Sequence, residues 1–151
     1  MESTTEKSIA TFTHLSSLTQ YFIPFGNYIF PIILWSTKKD ESEFVNNSGK
    51  QILNFQLSLL LYSLLLLMIA IPALLISIFK DMSFNAFLSN HNFEFSDFNF
   101  EANIGYLTVG IVCLIILGLL KIAEFFLIIY AAIKTSNGEN FSYPITIPFI
   151  R

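Results

Sequence analysis

The sequence predicts an all-helical, polytopic membrane protein: two long transmembrane helices plus a first hydrophobic segment broken by proline and glycine. Three observations lead there. Of 151 residues, 54% are hydrophobic, above the roughly 45 to 50% of ordinary globular chains. Mean hydropathy is +0.62. No charged residue occurs from Gln51 to Phe79 or from Ala102 to Leu120, and an uncharged apolar run of about 18 or more residues meets the length of a bilayer crossing.

The chain reads as a single membrane domain, residues 1–151, with apolar segments at about 9–35, 51–79 and 104–133. Its N-terminus lacks the basic region, short apolar core and small-residue cleavage site of a secretory signal, so no cleavage is expected. The first apolar segment carries Pro24, Gly26, Asn27 and Pro31. Proline removes a backbone donor and clashes with the preceding turn, so an unbroken helix is not expected. Two geometries fit, a kinked span or a re-entrant hairpin turning at Pro24 to Asn27.

The connector 36–50 holds Lys38, Lys39 and Lys50. Lys and Arg near span ends set orientation while acidic residues count for little, so it is expected in the cytoplasm. The segment from Lys50 to Lys80 would be about 46 Å long as a helix, more than the roughly 30 Å of hydrocarbon, so it must protrude or tilt. Pro72 falls near its far end. The loop of about 81–103 alternates phenylalanine with small polar or acidic residues from Asn92 to Glu101. That period fits a half-buried strand or phenylalanines resting on the membrane, and the scarcity of basic residues puts the loop outside. The third segment closes at Lys134, and Asn137-Gly138 supplies a left-handed helix stop. The proline-rich tail after Glu139, ending in Arg151, is expected in the cytoplasm.

Candidate polar sites inside these segments are Lys121, Glu124, Lys50, Gln51, Asn54, Ser58 and His14. Lys121 lies thirteen residues before Lys134, about 20 Å along a helix. A charge at a helix centre costs about 2.5 to 3.5 kcal/mol on insertion scales. Spacing i, i+3 lets Lys121 and Glu124 neutralise each other, and snorkelling of Lys121 to an interface is the other structural outcome. Asn47, Lys50, Gln51, Asn54 and Ser58 form one helical stripe suited to bonding a neighbouring helix or lining a wet vestibule, with Gln56 pointing elsewhere. His14 reads as an interfacial hydrogen-bonding residue without a partner, His91 as solvated surface, and the single Cys113 as a small buried apolar residue.

Catalytic, cofactor and metal motifs are not found. The sequence has no Gly-x-Ser-x-Gly elbow, His-Glu-x-x-His pair, phosphate loop or clustered metal ligands, so no enzyme and no cofactor is expected. A net charge of -3 offers no basic stripe for nucleic acid. Expected partners are membrane lipids and other membrane proteins or further copies of the chain. Gly110 and Gly118, one helix face with Leu114 between, form an incomplete small-residue packing motif.

Several blocks resemble a family. They are His14 to Ser17, Tyr21-Phe-Ile-Pro-Phe-Gly-Asn27, Pro31 to Trp35, Lys38-Lys-Asp-Glu-Ser42, Gly49-Lys-Gln-Ile-Leu-Asn-Phe-Gln56, Ala131 to Lys134, Asn137 to Glu139 and Tyr143-Pro144. In this order they resemble a bacterial domain-of-unknown-function family of small multi-pass membrane proteins. That family is grouped with the small membrane component of the chloroplast inner-envelope import translocon (Tic-like). The resemblance implies an all-helical multi-pass fold in the cytoplasmic membrane and no demonstrated transport. Lys121 and Glu124 depart from the apolar third segment expected of it. The function these readings favour is an accessory or scaffold protein of the membrane; the alternative is a translocon-like or small ion or proton conduit using the Lys-Glu pair.

Overall fold

A computed structural model describes residues 3–79 and 100–151, and every element among them is helical. In order these are α1 (Thr4–Leu15), a 3-10 turn (Ser16–Tyr21), α2 (Gly26–Lys38), α3 (Glu43–Phe79) and α4 (Phe100–Ser136). Residues 92–99 of the alternating segment, and His91 with them, lie outside the described residues, while its last two, Phe100 and Glu101, open α4 rather than a strand or loop.

α1 begins with a capping box: the Glu6 amide donates to Ser3 Oγ at 3.2 Å and the Ser3 amide to the Glu6 carboxylate at 2.7 Å. These bonds hold Glu6 below the usual carboxylate range. At its other end the helix tightens. Ser16 Oγ donates to the Thr13 carbonyl and Thr19 Oγ to the Ser16 carbonyl, a local competition with the backbone that suits a 3-10 turn. Pro24 then stops the chain, because the residue before proline is driven out of the helical region. Phe25 turns through the left-handed region at φ 61°. A Cβ on Gly26 would lie 2.5 Å from Thr19 Oγ1 and 3.0 Å from the Thr19 carbonyl carbon, so only glycine lets α2 fold back this closely.

The first apolar segment is therefore a helical hairpin, and the kinked span is not what forms. The start of α2 at Gly26 lies against Thr19, and the residues just past its end, Phe44 and Val45, pack against Ile9 and Ala10 of α1, so the two helices run antiparallel. With 12 and 13 residues, each is about 18 to 20 Å long, short of the roughly 30 Å of a hydrocarbon core.

α3 and α4 have 37 residues each, and both contain a stretch long and apolar enough to cross a membrane. Pro72 sits within an α3 that continues past it. α4 ends as expected: Gly138 takes φ 85° and the Glu139 amide donates back to the Lys134 carbonyl.

The chain forms two compact units, one of residues 1–61 with 120–151 and one of 62–119. In the first, α3 is the centre. Five successive residues, Ile52 to Gln56, are buried, so the helix is covered on all sides there, and Ala10, Phe44 and Val45 with Ile9 make a small apolar cluster at its start. Gly49 faces the Trp35 indole, which is fixed by Nε1 donating to Asn46 Oδ1 at 3.0 Å. A Cβ at 49 would fall 2.2 Å from Trp35 Cδ1. Gly49→Ala is thus expected to cost about 1 to 3 kcal/mol by overpacking, read as a lower midpoint in thermal unfolding of the detergent-solubilised protein; an unchanged midpoint would show that the indole moves freely.

In the second unit, α3 contributes buried Ala70, Ala73 and Ser77, and α4 contributes Gly110 and Cys113. A Cβ on Gly110 would lie 2.5 Å from Leu74 Cγ, the close approach small residues allow between membrane helices. Gly118 has no such neighbour, its Cβ direction being open.

Candidate functional site: a buried polar layer

The first unit encloses several polar side chains, drawn from every element. On α4, Glu124 is fully buried. Its Oε2 accepts from Lys121 Nζ at 2.8 Å and its Oε1 from Gln20 Nε2 at 2.8 Å. The pairing expected from the i, i+3 spacing forms, and both carboxylate oxygens are used. Lys121 itself is half exposed. Because 3-10 geometry repeats every three residues, Ser17 and Gln20 share a face, and Gln20 on that face reaches Glu124.

His14 is not partnerless. Its Nδ1 lies 2.9 Å from the Tyr143 hydroxyl, and Tyr143 stacks on Phe55 with ring centroids 4.2 Å apart and planes 11° from parallel. Burial pushes the imidazole down to about 4 and the phenol up, so both are neutral near pH 7. The partner was hidden because it lies 129 residues away in the tail.

The polar stripe on α3 needs a similar correction. Asn54 and Ser58 do not bond a neighbouring helix; they hold the chain's own C-terminal tail. Asn54 Oδ1 accepts from the Ile150 amide at 2.7 Å and Asn54 Nδ2 donates to the Ile150 carbonyl at 3.0 Å. Ser58 Oγ accepts from the Ile147 amide at 2.8 Å and donates to the Asn54 carbonyl. An amide side chain thus pairs with an extended backbone as a second strand would. Lys50 and Gln51 are partly exposed and Asn47 is exposed, so the stripe is not one continuous lining. Gln56 does point elsewhere, accepting from Asn27 Nδ2 at 2.7 Å across to α2.

Asn54→Ala should release the tail. Losing its two part-buried hydrogen bonds to Ile150 is expected to cost about 1 to 3 kcal/mol and to expose the segment after Tyr143 to protease. A tail cut at the wild-type rate would count against the docking.

His14, Asn27, Asn54, Gln56 and Tyr143, all within the sequence blocks quoted above, thus meet in one unit. Among the described residues no three His, Cys, Asp or Glu side chains come together. Residues 5–150 match the magnetosome magnetite crystal formation protein family. The chain belongs to that family. The match covers nearly its whole length, as expected of a small bacterial membrane-protein family, and carries nothing for the translocon grouping. No curated protein and no solved structure matches the chain. For this family member the residues missed from sequence are Gln20, Asn27, Gln56 and Tyr143; a stripe analysis of one helix face passes over a helix that is buried on both.

Proposed function

We propose that the chain is a non-enzymatic accessory protein of the membrane that engages other membrane proteins, or further copies of itself, through the apolar surfaces of α3 and α4. The observation that carries this is outward-facing apolar surface on both helices: only 17% of the apolar window of each is buried within the chain. Polar groups suited to binding a partner, among them Asn54, Ser58, Gln56 and Glu124, are instead engaged internally. Association must then come from close packing of apolar and small side chains, the usual basis of helix contacts in lipid.

The hairpin supports a topology of two crossings. Both termini and the connector 36–50 would lie in the cytoplasm with the loop of about 81–103 outside, as the lysine positions favour. Membership of the family adds a setting, a membrane on which magnetite crystals form. Cross-linking in native membranes followed by mass spectrometry tests the reading: it predicts a reproducible neighbour or a homodimer, and a monomer with neither would remove it. Fractionation then tests the setting, since a tagged chain should co-sediment with magnetically retained vesicles rather than with the cytoplasmic membrane.

A second reading, a translocon-like or proton conduit, draws on the buried Glu124 carboxylate. It predicts that Glu124→Gln alters flux through reconstituted liposomes; equal flux in wild type, variant and empty vesicles would end it.

A further inference from the structure

Among the described residues two other than glycine take a left-handed backbone, Phe25 at φ 61° and Ile145 at φ 57°. Phe25 makes the turn of the hairpin. Ile145 is β-branched, and for such a residue this region is strained. Its side chain is 78% exposed, so burial of that side chain does not offset the strain.

The chain is fixed on both sides of it. Before it, Tyr143 is buried, bonded to His14 and stacked on Phe55. After it, the Ile147 amide is held by Ser58 and both backbone groups of Ile150 by Asn54. Between the buried ring and the first held amide lie three residues, Pro144, Ile145 and Thr146. The ring of Pro144 fixes its own φ near −65°, and the Thr146 hydroxyl donates back to the Pro144 carbonyl at 3.4 Å. The reversal that brings the arm onto α3 therefore falls on Ile145.

The hold on the arm is of a kind that a second copy satisfies equally. Asn54 and Ser58 bond backbone N–H and C=O groups and no side chain, so the same arm arriving from another copy makes the same three bonds. Its apolar side chains do not lock it in place, since Ile147 and Phe149 are both exposed. A short connection under strain invites exchange between copies. When the arm reaches outward, Ile145 relaxes to extended backbone and each bond is remade on the neighbour, the general basis of swapped dimers.

We propose that residues 146–151 exchange between two copies of the chain, so that Asn54 and Ser58 of each hold the arm of the other while each Tyr143 stays in its own copy. The exchange rests on the self-association reading above and gives it a named polar contact. It places the partner's residues in a site that the apolar surfaces of α3 and α4 do not include.

Two differently tagged copies of the full chain, both Cys113→Ala, test this, one carrying Ser58→Cys and the other Ile147→Cys. Ser58 Oγ and the Ile147 amide lie 2.8 Å apart, so coexpression, solubilisation and oxidation should yield a mixed disulfide that only exchange brings about. Ile145→Gly in both copies relieves the strain of the closed arm at an exposed position, and the yield should fall about tenfold, the scale of one left-handed L-residue. Ile145→Pro forbids a positive φ and should raise it. Asn54→Ala in the copy carrying Ser58→Cys removes the bonds to Ile150 and should abolish it. A mixed disulfide that is indifferent to residue 145, or that survives Asn54→Ala, reports chance collision and overturns the exchange. Its absence from a dimer seen by size-exclusion chromatography with light scattering also overturns the exchange but leaves association through apolar surfaces standing. Absence of any dimer removes both.

Discussion

Lys121→Met on its own is expected to destabilise the chain by about 2 to 3 kcal/mol, and adding Glu124→Gln should recover most of the loss. Breaking a fully buried ion pair from one side costs about 3 to 5 kcal/mol, because the remaining charge is left uncompensated. Lys121 is half exposed, so water and headgroups screen part of that cost and the lower end applies. Glu124 cannot escape in the same way, being fully buried with its second oxygen on Gln20. Thermal unfolding followed by circular dichroism in one detergent, across both single variants and the double, measures the coupling. Additive losses would show that the two side chains do not act as a pair.

Acid should weaken the fold through His14. Its folded value is about 4, lowered by burial, against about 6.5 when unfolded. Between these values the unfolded chain binds more protons. The contribution is therefore complete above about pH 6.5 and is lost as pH falls through 4, reaching about 3 kcal/mol. His14→Gln can still donate to the Tyr143 oxygen but does not titrate. The difference in unfolding midpoint between wild type and this variant should therefore open between pH 6.5 and 4 and close above it. Parallel pH profiles for the two would mean that the imidazole is reached by water in the native state.

How far the sequence alone revealed this arrangement depended on the range of the interaction. Charge-free runs announced α3 and α4, and the spacing of Lys121 and Glu124 announced their pair, since both signals lie within a few turns of one helix. Pro24, Gly26 and Asn27 marked a break in the first segment but left open a kink or a hairpin. What decides between them is the fit of Gly26 against Thr19 and the packing of Ala10 against Phe44 and Val45, neither visible in a local pattern. The polar layer was half legible: the residues stood out as anomalies in apolar helices, but their partners did not. His14 finds Tyr143 and Asn54 finds Ile150 across most of the chain. A proline-rich tail gave no periodicity from which docking could be read. Gln56 was set aside because it left the face of Asn54 and Ser58, an inference that holds for a helix with one buried side and fails for one buried all round.

Single-cysteine labelling from either side of the membrane, in a Cys113→Ala background, tests the central claim that the first apolar segment is a hairpin and not a crossing. Ser3→Cys, Asp40→Cys and Ser142→Cys suit the purpose, because these positions are exposed, whereas Ser48 is buried. All three should react with an impermeant reagent from the same side. Labelling of Ser3→Cys from the side opposite Asp40→Cys and Ser142→Cys would mean that the segment spans, and would contradict the account.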